Sequence, residues 1–535
     1  MQMKTLLFQN TKKASSITPA QRTSLCLVLT IILSCLLVAL AQGSGFFYST
    51  HYTKVLILTL LFLAYAGAFF YLKASRRLDE SSFVFMIILL GVFLRCSYVL
   101  LSGLYDRQHD AGAYTGMGTD FINPGHIGYI EYIYKFHKLP DLNPYELFAY
   151  YHPPLHHILS CIWLRLNILF GVAEDLAFEN LQVLTLLYSC LCMVVTWKIL
   201  KVLEIRGKGL YIGLAFMAFH PATIVMAGSV NNDMLTILFM CLIILESLKW
   251  IRDKNLAGLI RLSLYIGFGM ITKLNSAVLA IPLAILFLKH FVSVIRSKDK
   301  PLILKWLKNY CIFAVIVAPI GLSWIVRNLI RFSEKPGVPV PGETSPMYTA
   351  PFSLWERLGI PALSDWNFAF PFHPISAKAC CNTWVIMYHT SLFAEEYPTD
   401  LPDILLVLCQ ITFLLAVILG IATAVLLVAV LLHKRTGRED TIFLLTGYVI
   451  MLISFAAFVI IYPYTCSSDF RYVAICLVYI SIALGLGNKY YLSPSFRQEK
   501  DKRAKIKAIC MHMINSGILA VLTFITIIYV FWERW

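Results

Sequence analysis

The sequence predicts an all-α polytopic membrane protein with about thirteen transmembrane helices, and three observations predict it. Hydrophobic residues make up 59% of the 535 residues and charged residues only 14%, whereas a soluble domain carries about a quarter of its residues charged. Apolar runs of roughly bilayer length recur along the chain, whose mean hydropathy is +0.72. Between them the basic residues fall in short clusters, as cytoplasmic loops require. The net charge of +15 is therefore spread over loops rather than gathered into a face, and no nucleic acid is expected. The 14 cysteines sit mostly in apolar runs, where Cys behaves as a small hydrophobe, and show no metal-ligand spacing.

Residues 1–22 carry Lys4, Lys12, Lys13 and Arg22 and are expected in the cytoplasm, with 23–42 running outward. Ala39-Leu40-Ala41 has the form of a signal-peptidase site, but the apolar run exceeds a signal core, and a retained helix is expected. Span 54–72 returns to Lys73, Arg76 and Arg77; span 83–104 then delivers Asp106 and Asp110 to the external face. The next apolar run, 155–171, is decided by charge. Were it to cross, Glu174, Asp175 and Glu179 would be cytoplasmic and Lys198, Lys201, Arg206 and Lys208 external, inverting the rule. It is expected as an amphipathic helix on the outer surface, and 106–180 becomes one external unit.

The remaining spans follow as 181–200, 210–227, 234–250, 257–271, 274–288 and 310–329, a second external loop over 331–402, and then 404–432, 441–462, 473–486 and 514–532. Four regions result: 1–82, a cytoplasmic tail with an extra hairpin; 83–330, a catalytic membrane module; 331–402, the second loop; and 403–535, the C-terminal helices. Two large loops on one side of a short-looped core imply that this side works. Neither a Gly-x-Gly-x-x-Gly nor a Lys-Ser/Thr phosphate loop occurs in a suitable setting, so a donor already in the membrane is expected rather than a cytosolic nucleotide.

An outward helix ending in Asp110-x-x-x-Tyr114, then Gly125-His-Ile-Gly-Tyr-Ile-Glu-Tyr132, then Tyr151-His-Pro-Pro-Leu155 before a surface helix, resembles the first external loop of GT-C glycosyltransferases. Within them the likeness is greatest to glycosyltransferase family 39, the protein O-mannosyltransferase-like and lipid A aminoarabinose transferase-like group. Ser229-Val-Asn-Asn-Asp-Met234, Gly267-Phe-Gly-Met-Ile-Thr-Lys273 and Asp469-Phe-Arg-Tyr472 resemble that group's later landmarks, in order. The resemblance implies inverting transfer of a sugar from a polyprenyl- or dolichyl-phosphate carrier to a glycan, lipid or protein acceptor on the extracytoplasmic side. Two departures stand out. Two helices precede the first external loop, and the group's Asp-Glu pair is Asp110-Ala111 here, so no step that needs adjacent carboxylates carries over.

Direct displacement needs a base for the acceptor hydroxyl, and Asp110 is the expected one. Asp106 is second; its neighbour Arg107 favours a local ion pair instead. A lipid-phosphate leaving group needs fixed cations at the membrane border. Arg471, able to fork onto phosphate oxygens, and Lys273 are the expected pair, with Tyr472 beside them; the alternative for both cations is plain snorkelling. His109, Tyr114, His126 and His152 are expected in the sugar or acceptor pocket. Asn232 and Asp233 either join them or cap a helix with Asn231. Trp366, Trp384, Tyr388 and Glu395-Glu396 of the second loop are expected to cover the pocket or select the acceptor, the alternative for the aromatics being anchorage at the interface.

Pro153-Pro154 interrupts the His152, His156, His157 run, so a metal site is not supported and no cofactor is expected. A transporter or flippase is the competing class, but no repeated halves are found and the charged groups gather at one face rather than the midplane. The absent Glu leaves an inactive partner subunit as a further alternative. The loop charges fit a bacterial plasma membrane with an external site or an endoplasmic reticulum with a luminal one.

Overall fold

The computed structural model describes residues 19–46, 49–106, 108–109, 122–338, 342–361, 376–395, 402–432, 437–493 and 502–529. Its helices run in order α1 Pro19–Gly43, α2 His51–Ala74, α3 Glu80–Leu101, α4 Gly125–Phe136, α5 Leu155–Leu169, α6 Glu174–Glu179, α7 Gln182–Val202, α8 Gly207–Phe219, α9 Pro221–Val225 and α10 Asp233–Asp253. There follow α11 Leu256–Met270, a 3-10 turn Leu274–Leu279, α12 Ala280–Arg296, α13 Lys300–Phe332, α14 Leu354–Leu358, α15 Thr383–Phe393, α16 Asp403–Leu432 and α17 Arg438–Ile461. Two 3-10 turns, Thr465–Ser468 and Phe470–Val473, lead into α18 Cys476–Tyr491, and α19 Lys502–Thr523 runs on into a π-helical segment Phe524–Tyr529.

Each expected span coincides with a helix, but fewer than thirteen have bilayer length. Ten helices among the described residues are long and apolar enough to cross a membrane, or eleven if Thr465–Val473 and Cys476–Tyr491, bent by 46°, count as one. The shortfall has a local cause. The run expected at 210–227 breaks where Pro221 follows His220, because proline removes an N–H and holds its predecessor extended; His220 has φ −70° and ψ 125°. The run expected at 257–271 ends at Met270, and Lys273 is extended at φ −160°, ψ 129°. Hydropathy also cut α13 short, since it starts at Lys300 and counts Lys305 and Lys308 within its first turns. The surface helix expected at 155–171 is α5, 15 residues long and too short for a bilayer core.

The bundle packs α8 along α18, α10 against α7 and α11, and α11 along α13. Close approach in the first pair rests on glycine: a Cβ on Gly213 would lie 2.6 Å from the Ser481 carbonyl oxygen, and one on Gly209 equally close to that of Gly485. Small residues one turn apart let helix backbones touch, which is how helices associate where lipid removes the hydrophobic drive.

The two ends of the bundle differ. At one, Arg252 pairs with Asp440 at 3.0 Å, Lys254 with Glu439 at 2.9 Å, Lys289 with Glu439 at 3.1 Å and Lys201 with Glu80 at 2.8 Å. Helix α10 climbs from there to Asp233; its 21 residues rise roughly 30 Å at 1.5 Å each, a hydrocarbon thickness. At that second end three helical runs are interrupted, over 220–232 apart from the short α9, over 271–279 and over 462–475, where only 3-10 turns remain in the last two. Backbone of this kind is tolerated at membrane depth only where protein or a watery hollow satisfies it.

Candidate active site

The unwound stretches place charged side chains against one another. Residue 233 opens α10, and its N–H is capped by the Asn231 carboxamide oxygen at 3.1 Å. Asn232 makes no side-chain cap; its amide donates to the Thr272 carbonyl at 2.9 Å, tying the start of α10 to the strand-like residues that carry Lys273. The bland capping role thus belongs to Asn231, and Asp233 is left to face the cations. The Lys273 ammonium donates to Asp233 Oδ1, and Arg471 approaches Asp233 Oδ2 at 3.9 Å. Tyr472 offers its ring to both, with Lys273 Nζ 4.8 Å and the Arg471 guanidinium 5.4 Å from its centroid.

Arg471 also reaches Glu395 at 3.7 Å and Asp469 at 3.9 Å. His109 lies on the far side of those carboxylates, 3.4 Å from Glu395 and 3.8 Å from Asp469. Its backbone N–H donates to Ser229 Oγ at 3.1 Å. At 2% exposure burial alone would lower the His109 pKa, but the Glu395 hydrogen bond and the Asp469 and Glu395 charges outweigh both it and the opposing Arg471 charge, raising it to about 9. His109 is accordingly a cation near neutral pH. Two fixed cations and one imidazolium then face three carboxylates, and the cluster is close to neutral.

Below this cluster stands a stack of histidines. His126 Nδ1 and His157 Nε2 are 3.0 Å apart, and the His126 ring stacks on His157 and on His152, each at 5.2 Å between centroids. Burial first, then the charges of His126 and Lys273, hold His152 well below the ordinary imidazole range, so it is a neutral donor or acceptor. The Leu155 N–H donates to the Ile271 carbonyl at 3.1 Å, which pins the His152 turn to the end of α11.

Of the residues expected in the site, His109, Arg471, Lys273, Tyr472, Asn232 and Asp233 are brought together, and His126 and His152 adjoin them. Asp106 is exposed and within electrostatic reach of Glu179. Asp110, Tyr114, Arg107, Trp366 and Glu396 lie outside the described residues. Sequence reasoning assigned no role to Asp469, although it opens the quoted Asp-Phe-Arg-Tyr run, and placed Glu395 only in a covering loop. Trp384 is spent on structure, its indole donating to the Leu358 carbonyl at 2.8 Å.

His109, Glu395 and Asp469 bring ligand atoms within 4.8 Å of one another, the spread a cation could use. Arg471 already faces both carboxylates, at 3.7 Å and 3.9 Å, so a cation there would share them with its guanidinium. The turn that carries Asp469 and Arg471 has an apolar side as well. Phe470 and Val473 wall a cavity of about 110 Å³ together with Met387, Leu392, Leu419 and Leu477.

In comparison with known proteins, residues 152–324, about a third of the chain, match the model of the family described as dolichyl-phosphate-mannose-protein mannosyltransferase. That stretch contains His152, Asn232, Asp233 and Lys273. No curated protein matches the chain. Among solved structures, the archaeal oligosaccharyltransferase AglB from Archaeoglobus fulgidus, in complex with an inhibitory peptide and a dolichol-phosphate, is 10% identical with a TM-score of 0.46. The alignment covers 83% of this chain and 55% of that one, so the chain spans about half the length of AglB. ArnT from Cupriavidus metallidurans bound to undecaprenyl phosphate is 15% identical with a TM-score of 0.34, over 84% of this chain and 78% of that one.

Proposed function

We propose that the protein is a GT-C-type glycosyltransferase that moves a sugar from a polyprenyl- or dolichyl-phosphate carrier onto a glycan, lipid or protein acceptor, with inversion and on the extracytoplasmic side of the membrane. The observation that carries this reading is the convergence of Lys273 and Arg471 on one carboxylate at an unwound end of the bundle. Two cations fixed within reach of one oxyanion form a seat for a lipid phosphate, whose developing charge on departure is what such a site must stabilise. The family match over 152–324 supports the same class of donor.

Asp110 takes the proton of the acceptor hydroxyl as that oxygen attacks the anomeric carbon. The bond from that carbon to the phosphate oxygen breaks, and its electron pair leaves on the phosphate held by Lys273 and Arg471. The apolar cavity behind Phe470 receives part of a lipid chain. The extracytoplasmic assignment is supported by the basic residues of the far end, Lys201, Arg252, Lys254 and Lys289, which the positive-inside rule puts in the cytoplasm.

The test is transfer from a polyprenyl-phosphate sugar in proteoliposomes. Asp110→Asn is expected to lose at least a hundredfold in kcat while still binding the donor. Transfer at the wild-type rate would remove Asp110 as the base, and absence of transfer by the wild-type protein across several lipid-phosphate sugars would remove the function.

A further inference from the structure

Arg95 stands fifteen residues beyond the start of the membrane helix α3 and is fully buried, with 0% exposure. It lies about 9 Å below the end of that helix. Its guanidinium donates to neutral acceptors, two hydroxyls and three carbonyls. Nε donates to Ser189 Oγ at 2.8 Å, one terminal nitrogen to the carbonyls of Gly91 at 3.0 Å and Ala218 at 2.6 Å, the other to the Met217 carbonyl at 3.3 Å and Thr223 Oγ1 at 2.7 Å. A full charge held inside a membrane bundle is costly and points to function by default.

Its acceptors show what it holds. Met217 and Ala218 are the last turn of α8, whose carbonyls lose their helical partners at the His220-Pro221 break and carry the negative end of the helix dipole. Gly91, one turn earlier on α3, lets that turn come close, since a Cβ there would lie 3.1 Å from Ala218 Cβ. Arg95 thus caps a broken helix end in lipid, where water cannot. The residues beyond the break run to the candidate site in two directions. The His220 ring stacks on Phe470, 5.8 Å between centroids, between Asp469 and Arg471. The chain itself continues along α7, where Ser189 donates to the Thr223 carbonyl, Thr185 to that of Ala227 and Gln182 to that of Gly228, and ends at Asp233.

We infer that Arg95 is a positioning residue of the site: by capping the break in α8 it sets where Asp233 stands between Lys273 and Arg471, and so shapes the seat for the donor phosphate. The inference rests on the proposed function for the identity of the ligand, and the experiment separates the two. Arg95→Lys, which keeps the charge but satisfies fewer acceptors, and the milder Thr223→Val are compared with wild type in nanodiscs. Three quantities are measured: hydrogen exchange, Kd for a short-chain polyprenyl phosphate, and KM for donor and acceptor.

Arg95→Lys is expected to raise exchange in 217–233 and 469–473 but not in α12 or α16. Donor KM and lipid-phosphate Kd should rise about tenfold with acceptor KM unchanged, and Thr223→Val should shift them the same way by about threefold. A purely structural role would lower the active fraction and leave donor KM alone. Exchange raised uniformly, or an unaltered Kd and donor KM in Thr223→Val, would overturn the inference, and Thr223→Val decides it if Arg95→Lys fails to fold. Wild-type protein that transfers no sugar, yet binds the lipid phosphate in an Arg95-dependent way, would sink the transferase reading alone.

Discussion

Lys273 and Arg471 address opposite oxygens of one carboxylate, that of Asp233, the ammonium on Oδ1 and the guanidinium on Oδ2. The two cations come from chain segments almost 200 residues apart, so neither position implies the other in the sequence. Asp233 is the anion that both cations share.

Replacing that anion has a definite expected result. In Asp233→Asn the two cations lose the anion that fixes them, and a short-chain polyprenyl phosphate is expected to bind severalfold more weakly, measured in nanodiscs. Tighter binding would mean that Asp233 occupies the seat more than it holds it together.

Arg471→Lys removes the planar fork but keeps the charge. Because a point charge cannot bridge phosphate oxygens and carboxylates together, kcat/KM for the lipid-linked donor is expected to fall 10- to 100-fold. A value within twofold of wild type would return Arg471 to simple snorkelling.

The pH dependence follows from His109, whose pKa stands at about 9 against the ordinary 6.5. A raised folded-state pKa makes protonated His109 stabilising: the contribution is fully present below about pH 6.5 and is lost as pH rises through 9. Its size is a few kcal/mol at most. The thermal midpoint of the wild-type protein is expected to fall across that window, and His109→Gln to start lower and stay flat across it. Parallel slopes in the two proteins would exclude His109 as the group responsible.

Helix packing gives a prediction independent of function. Gly213→Leu would push a side chain into the Ser481 carbonyl on α18, and a loss of about 1–3 kcal/mol is expected from overpacking. It reads as a lower unfolding midpoint in detergent, whereas Gly67→Leu, on α2 with open space around it, should change little.

Sidedness is checked by labelling. Cysteines placed at the exposed positions Thr344 and Lys298 should react with an impermeant maleimide from opposite faces of the membrane, Thr344 from the non-cytoplasmic one. Labelling of both from one side would break the topology on which the proposed site depends.

Periodicity and charge were enough to find the helices, because burying a chain in lipid demands long apolar runs and because basic loops mark one side. They also marked 155–171 as a helix, which is α5, Leu155–Leu169. Where a span stops short of the bilayer was less legible. Pro221 is a local signal that could have been read, whereas the Asn232 bond to the Thr272 carbonyl, which ties the start of α10 to the end of α11, joins residues 40 apart in sequence.

By itself, then, the sequence determined an all-helical membrane protein, the order of its helices and the residues worth watching at one end, because hydropathy and charge act locally along the chain. Only the tertiary structure decided that Asp233 would lie between two distant cations, that Glu395 and Asp469 would flank His109, and that Arg95 would cap a broken helix. Those are contacts between segments far apart in sequence, and what a charge does inside a bundle depends on which partners folding brings within a few ångströms of it.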